Sequence, residues 1–154
     1  MLEIKLYLSR HWSQWDKISP QERFFPIDDT LSAKELFCTS PSSSMGRVVI
    51  EKYGCVYLDE ECDLDDFLNA IVYSKEDIFS GIPYTVDNSY FQLSFLDRHY
   101  RHKFLIQFKS KTLAIEKSEF IEAFRLSAKK YYQLLAEFHP TDYGCSAKNL
   151  DNIW

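Results

Sequence analysis

Apolar and polar positions alternate at the start of the chain. Leucine or isoleucine occupies positions 2, 4, 6 and 8, and the positions between them hold Glu3, Lys5, Tyr7 and Ser9. A period of two is typical of a strand that buries one face. The pattern therefore predicts an opening β-strand, followed by turn and loop over residues 10–29 with one helical turn.

Further strands are predicted in two places. Val48–Ile50 and Cys55–Leu58 flank a tetrapeptide that ends in Gly54, which predicts a β-hairpin. Later in the chain three segments alternate in the same way, and an antiparallel meander is their simplest explanation. These segments are Phe91–Phe95, Phe104–Phe108 and Leu113–Ile115.

Helical periodicity is clearest in residues 118–138. Apolar residues recur there at steps of three and four, with Ser118 predicted to cap the helix and the His139-Pro140 pair to end it. The apolar stripe consists of Phe120, Phe124, Ala128, Tyr131, Leu135 and Phe138.

Two shorter helices are also predicted. Thr30 or Ser32 is expected to cap one that reaches Phe37, and Asp63 is expected to cap another that follows the hairpin. The apolar face of the second helix consists of Leu64, Phe67, Leu68 and Ile71.

These elements predict an α+β fold. We expect an antiparallel β-sheet of about five to six strands, a long C-terminal amphipathic helix packed on one face, and one or two shorter helices. The 154 residues suit a single globular domain spanning 1–154. Residues 141–154 show no periodicity and are expected to lie against the domain or to form a mobile tail.

Aromatic residues are abundant, at 16% of the chain. This content suits a phenylalanine-rich core with tyrosine at its edge, and it also suits a protein interface, where exposed aromatic rings contribute large contact areas. Trp12 and Trp15 leave the same choice open, between packing at the sheet edge and serving as exposed anchors.

Charge is distributed unevenly. The net charge is -5, but residues 41–96 carry three basic and ten acidic side chains, giving -7, whereas residues 97–117 carry six basic and two acidic ones, giving +4. An acidic surface repels phosphate backbones and attracts basic partners. We therefore expect a protein partner and no nucleic acid.

The acidic run from Asp59 to Asp66 has three interpretations: a metal site, helix capping with solvated charge, or a docking surface for a basic partner. Calcium loops place a glycine at their sixth position to allow a sharp turn, and this run has none. Capping and docking are the interpretations that the pattern favours.

The segment Arg98–Lys103 carries three cations and two histidines in the spacing His-x-x-His. Zinc would need further ligands in a defined geometry, so a polar turn or a contact surface is favoured instead. Glycine clusters and nucleophile motifs are also missing from the sequence. The expectation is a protein without cofactor or metal, and not an enzyme.

The N-terminal segment lacks the uninterrupted apolar run of a secretory signal, and no stretch is apolar and long enough for a membrane span. We therefore expect a cytoplasmic protein that does not bind membranes, with its four cysteines reduced.

The segment Leu6–Asp16, a strand end followed by an aromatic stretch, resembles the start of some immunity proteins of bacterial toxin–immunity pairs. Small size, acidity and an α+β architecture rich in strands add to the resemblance. It implies a stoichiometric inhibitor that blocks the active site of a cognate toxin, often a basic nuclease.

The working hypothesis is an acidic protein-binding module whose partner is a basic toxin domain. The residues expected to supply charge are Asp59, Glu60, Glu61, Asp63 and Asp66, and the expected anchors are Tyr53, Tyr57 and Trp12. The alternatives are a small enzyme that pairs His99 or His102 with a distant carboxylate, and a structural or adaptor subunit. The sequence makes no prediction of oligomeric state.

Overall fold

The computed structural model describes residues 1–80, 83–87, 91–96 and 102–139. The strands are β1 (Leu2–Ser9), β2 (Phe24–Pro26), β3 (Met45–Lys52), β4 (Cys55–Asp63), β5 (Tyr84–Asp87), β6 (Gln92–Leu96), β7 (Lys103–Gln107) and β8 (Thr112–Glu116). The α-helices are α1 (Thr30–Thr39), α2 (Leu64–Tyr73), α3 (Lys75–Ser80) and α4 (Lys117–Phe138). Two 3-10 turns, Trp12–Lys17 and Pro20–Arg23, lie between β1 and β2. The predicted α+β class is confirmed.

The strands form two antiparallel sheets in place of one. The first has the order β2-β1-β3-β4, and the second has the order β5-β6-β7-β8. The predicted meander is confirmed as β6, β7 and β8, and β5 extends it by one strand. β2 and β5 have three and four residues, and strands this short have too little alternation to be recognised in the sequence. None of the helices in the described ranges is long and apolar enough to cross a membrane.

In β1, the alternation of apolar and polar residues places one face of the strand in the core. Its even-numbered residues are buried, and two of them face core residues of β3 in the pairs Ile4↔Ile50 and Leu6↔Val48. The odd-numbered residues point to the opposite side, called here the outer face of the first sheet. The predicted opening strand is confirmed.

The hairpin β3–β4 turns at Tyr53 and Gly54, whose φ angles are 52° and 77°. Two successive residues with positive φ suit a two-residue hairpin turn, because its twist matches that of the flanking strands. β4 continues five residues beyond the predicted end at Leu58, so the acidic run lies largely within a strand.

α4 closes the core. The predicted stripe is buried from Phe120 to Leu135, while Phe138 is half-buried. Phe120 meets Phe95 and Phe104 edge-to-face at 5.7 Å, which ties α4 to the second sheet. Nine of the twelve phenylalanines are buried, so the aromatic content is mainly core.

Helix starts were predicted with mixed success. Asp63 caps α2 by accepting a hydrogen bond from the Asp66 amide at 3.1 Å, as predicted. The cap of α1 is Asp29, which accepts from the amide of Ser32, and not Thr30 or Ser32 itself. The cap position of α4 is Glu116, two residues before the predicted Ser118, because β8 runs directly into the helix.

Gly46 in β3 lies where α2 meets the first sheet. A Cβ atom there would lie 2.0 Å from the backbone oxygen of Tyr7 and 2.9 Å from Cγ of Leu64. Backbone cannot move aside as a side chain can. We expect Gly46→Ala to lower the free energy of unfolding by about 3 kcal/mol, measured by urea denaturation.

The matched control for this substitution is Gly54→Asn at the exposed hairpin turn. Asparagine tolerates positive φ, and a Cβ there would meet nothing within 4 Å. Its free energy of unfolding should stay within about 1 kcal/mol of the wild type. Equal losses in both variants would contradict the close approach at Gly46.

Candidate functional site

The acidic run alternates between two sides because β4 continues through it. Asp59 and Glu61 lie on the outer face of the first sheet, opposite Val49 and Arg47 of β3. Glu60 faces the other side together with the buried Cys62. We call the carboxylates from Asp59 to Asp66 the acidic edge. The docking hypothesis assumed that the run presents its carboxylates together on one side. The structure instead divides them between two sides of the sheet.

Asp59 is neutralised within the protein. Its two carboxylate oxygens accept hydrogen bonds from Nε and Nη2 of Arg47 at 2.6 and 2.7 Å. The guanidinium lowers the pKa of Asp59 from its ordinary value, and the carboxylate in turn raises the pKa of Arg47. Arg47 also lies over the ring of Tyr7 at 5.7 Å. A partner would have to break this pair to use Asp59.

Glu60 and Asp63 also have internal partners. Nζ of Lys109 lies 3.8 Å from Glu60, a separation at which an exposed pair contributes little. Asp63 caps α2 and also accepts a hydrogen bond from Oγ of Ser44 at 2.6 Å. Its role is to hold the junction of β4 and α2.

Glu61 and Asp66 are exposed, and neither is in an ion pair within the described residues. The acidic edge comprises six carboxylates, and the ion pairs found among the described residues bring two cations to it, Arg47 and Lys109, which gives a formal charge of -4. The exposed negative charge that has no ion pair in this part of the molecule therefore lies on Glu61 and Asp66.

Two groups at the acidic edge, the buried thiol of Cys62 and the half-buried carboxyl of Asp65, respond to this negative charge. Burial, followed by the charges of Asp63, Glu60 and Asp66, raises the pKa of Cys62 to about 12. Burial also raises the pKa of Asp65, with a smaller contribution from neighbouring carboxylates and an opposing hydrogen bond from Oη of Tyr131 at 2.9 Å.

The predicted aromatic anchors have different environments. Trp12 and Tyr53 are 73% and 86% exposed, as anchors need to be. Tyr57 is half-buried, with its ring 5.5 Å from that of Phe108 and Nζ of Lys111 at 5.8 Å, so it belongs to the packing between the two sheets.

Trp12 and Tyr53 lie at opposite ends of the first sheet. Tyr53 is in the β3–β4 turn, whereas Trp12 follows β1 at the end where Met45 pairs with Asp63. Of the two exposed candidates, Trp12 is thus the one at the same end of the sheet as the start of α2. Trp15 is held in place instead, because its Nε1 donates to the carbonyl of Arg10 at 3.0 Å.

A groove of about 570 Å³ lies between β1 and α4, and no pattern in the sequence predicts it. Its floor and walls include Ile4, Ile27, Ala123 and Leu126. The signal that could have revealed it is Leu126, an apolar residue on the otherwise polar side of α4.

Two polar contacts hold the edge of β1 against α4. The Leu2 amide donates to Oε1 of Glu119 at 2.7 Å, and the hydroxyl of Ser127 donates to the carbonyl of Ile4. Glu119 is also 3.2 Å from Nζ of Lys52. Burial favours a higher pKa for Glu119, but the Leu2 amide and the Lys52 ammonium together lower it.

Metal-binding clusters and the histidines are the other candidates for chemistry. No group of three or more His, Cys, Asp or Glu side chains within the described ranges is arranged to hold a metal ion. His102 is exposed beside β7, while His99 and the rest of the basic segment up to Arg101 lie outside the described residues. Residues 141–154, the predicted tail, also lie outside them.

Comparisons with protein-family models, with curated proteins and with solved structures find no match for this chain.

The environment of Cys62 predicts low reactivity. With a pKa of about 12, roughly one thiol in ten thousand is ionised at pH 8. Iodoacetamide at pH 8 should therefore modify the exposed Cys38 and Cys55 in the native protein and reach Cys62 only after unfolding. Peptide mass mapping measures this order, and native labelling of Cys62 as fast as that of Cys55 would contradict it.

The contacts of Glu119 predict a pH-dependent contribution to stability. Because its pKa is lowered in the folded state, the contribution is present at neutral pH and is lost as the pH falls through that lowered value. Glu119→Gln should lower the free energy of unfolding by about 1 kcal/mol at pH 7, and the difference should shrink towards pH 3. Urea denaturation at several pH values measures it.

The control is Glu122→Gln, one turn along the same helix, where no ion pair is formed within the described residues. The free energy of unfolding of Glu122→Gln should be nearly the same as that of the wild type at every pH. A loss for Glu119→Gln that does not change with pH would mean that its charge is unimportant.

Proposed function

We propose that this protein is an acidic binding module that captures a basic protein through the acidic edge. The observation that carries the proposal is the exposure of Glu61 and Asp66, which have no ion pair within the described residues, in a region of formal charge -4. The proposal is narrower than the sequence hypothesis, because Asp59, Glu60 and Asp63 already have partners inside the protein.

Electrostatics would act mainly on association. Charges on a surface act over a Debye length of about 8 Å at physiological salt. They raise the rate and selectivity of encounter more than the affinity of the final complex. A complex formed in this way should weaken steeply as salt is added.

Affinity needs an apolar anchor in addition to charge, and the exposed Trp12 supports this part of the proposal. Large aromatic side chains dominate the binding energy of many interfaces once a partner shields them from water. Trp12 lies at the end of the first sheet where β4 runs into α2. A basic partner that covers Glu61 and Asp66 could bury this ring at its margin.

The more specific proposal is that the partner is a bacterial toxin domain, with this protein as its immunity protein. It rests on the resemblance in size, acidity and architecture. A stoichiometric inhibitor needs only a complementary surface, and the acidic edge with Trp12 could supply one. The hypothesis predicts that a gene next to the one encoding this chain encodes a toxin. Co-expression of this chain should restore the growth of cells that the toxin inhibits.

Charge reversal tests the role of the acidic edge. Glu61→Lys with Asp66→Lys should weaken binding to a basic partner at least tenfold at low salt, because two attractive charges become repulsive. Surface plasmon resonance can measure it against inactivated nuclease toxin domains with a pI above about 9, or against a partner co-purified from the native host.

The matched control is Glu76→Lys with Asp77→Lys on α3, which changes the net charge equally at two exposed positions away from the acidic edge. It should reduce affinity much less. If the two double variants weaken binding equally, the attraction is nonspecific. If neither variant weakens binding, the acidic edge is not the contact surface.

A further inference from the structure

The groove between β1 and α4 has the dimensions of a short extended peptide. Its β1 wall runs from Leu2 to Tyr7, about 17 Å at the rise of a strand, and its α4 wall runs from Glu119 to Lys130, also about 17 Å at the rise of a helix. About five extended residues would fit this length. The volume of about 570 Å³ also lies within the range of ligand pockets.

Apolar side chains remain exposed on both walls. Met1 is 81% exposed and Leu126 is 57% exposed, and both line the groove above the buried Ile4 and Ile27. Solvent-exposed apolar residues that line one concave surface are a common feature of binding sites. Apolar side chains of a bound peptide that pack on Met1 and on Leu126 would remove both from water.

The groove is lined by four carboxylates, against two lysines and the N-terminal ammonium of Met1, so its unbalanced charge is negative. The carboxylates are those of Glu3, Asp28, Glu119 and Glu122. Both of its lysines already have partners, Lys5 with Glu3 and Glu51 on the outer face, and Lys130 with Asp28 at 3.6 Å. Glu122, in contrast, is exposed and forms no ion pair within the described residues. The groove is therefore complementary to a cation.

Part of the main chain of β1 is also open to the groove. β2 pairs only with Tyr7–Ser9, and beyond it the Ile27 amide donates to the carbonyl of Leu6. The hydroxyl of Ser127 donates a hydrogen bond to the carbonyl of Ile4. Since the N–H and C=O groups of one strand residue point to the same side, the Ile4 amide faces this edge as well.

We infer that the groove is a second docking site, separate from the acidic edge, for an extended peptide segment of a partner protein. The segment carries an apolar side chain that packs on Leu126, next to a lysine or arginine that pairs with Glu122. This inference does not depend on the partner being a toxin.

Fluorescence anisotropy with two labelled peptides tests the inference. One probe has three central valine and leucine residues flanked by lysines, and the other has glutamates in place of the lysines. The lysine probe should bind with a Kd below about 1 mM, and the glutamate probe at least tenfold more weakly. No binding of the lysine probe at that concentration would overturn the inference.

Variants locate the site. Leu126→Asp should weaken binding of the lysine probe at least tenfold. Glu122→Lys should make the glutamate probe bind more tightly than the lysine probe. Leu31→Asp is the matched control, since Leu31 is a leucine that is more exposed than Leu126 and does not line the groove, and it should leave binding unchanged. Binding that survives Leu126→Asp would place the peptide elsewhere.

Two further measurements separate the competing explanations. Reversal of Glu61 and Asp66 should leave binding of the lysine probe unchanged, so the groove and the acidic edge can fail independently. Sedimentation velocity tests self-association: a dimer that Leu126→Asp converts to monomer would assign the groove to a second copy of this chain and overturn the peptide assignment.

Discussion

Burial of one face of α4 against both sheets is the interaction on which the rest of the structure depends. Phe120 packs edge-to-face on Phe95 and Phe104 of the second sheet, while Glu119 and Ser127 hold the edge of β1 in the first. An exposed strand edge invites pairing with other chains, and covering it with a helix is one way in which proteins prevent this. The same arrangement leaves the groove, because α4 covers the edge without filling the space beside it.

The acidic edge follows from a different constraint, the period of two in β4. A strand sends successive side chains to opposite faces, so adjacent carboxylates cannot act as one surface. Arg47 lies opposite Glu61 yet pairs with Asp59, its diagonal neighbour, which leaves Glu61 exposed. Binding, if it uses this region, depends on which carboxylates the strand leaves without an internal partner.

Elements with long periodic patterns could be predicted from the sequence, and tertiary relationships could not. The alternation in β1 and the apolar stripe in α4 were sufficient to predict a strand and a helix, because each element buries one regular face. The length of β4 was missed since Asp59–Asp63 is polar on its exposed face and carries a charged residue, Glu60, towards the interior. The groove was missed because it arises where residues about 120 positions apart meet, and no local pattern records such a meeting.

The hydrogen bond between Leu2 and Glu119 spans 117 residues. Contacts so distant in sequence form late, because a long loop must close before they contribute any stabilisation. During synthesis, the β1 edge leaves the ribosome well before the helix that shields it. The nascent protein thus passes through a stage in which a hydrophobic strand is available to neighbouring chains, and its yield should depend on translation speed and on chaperones.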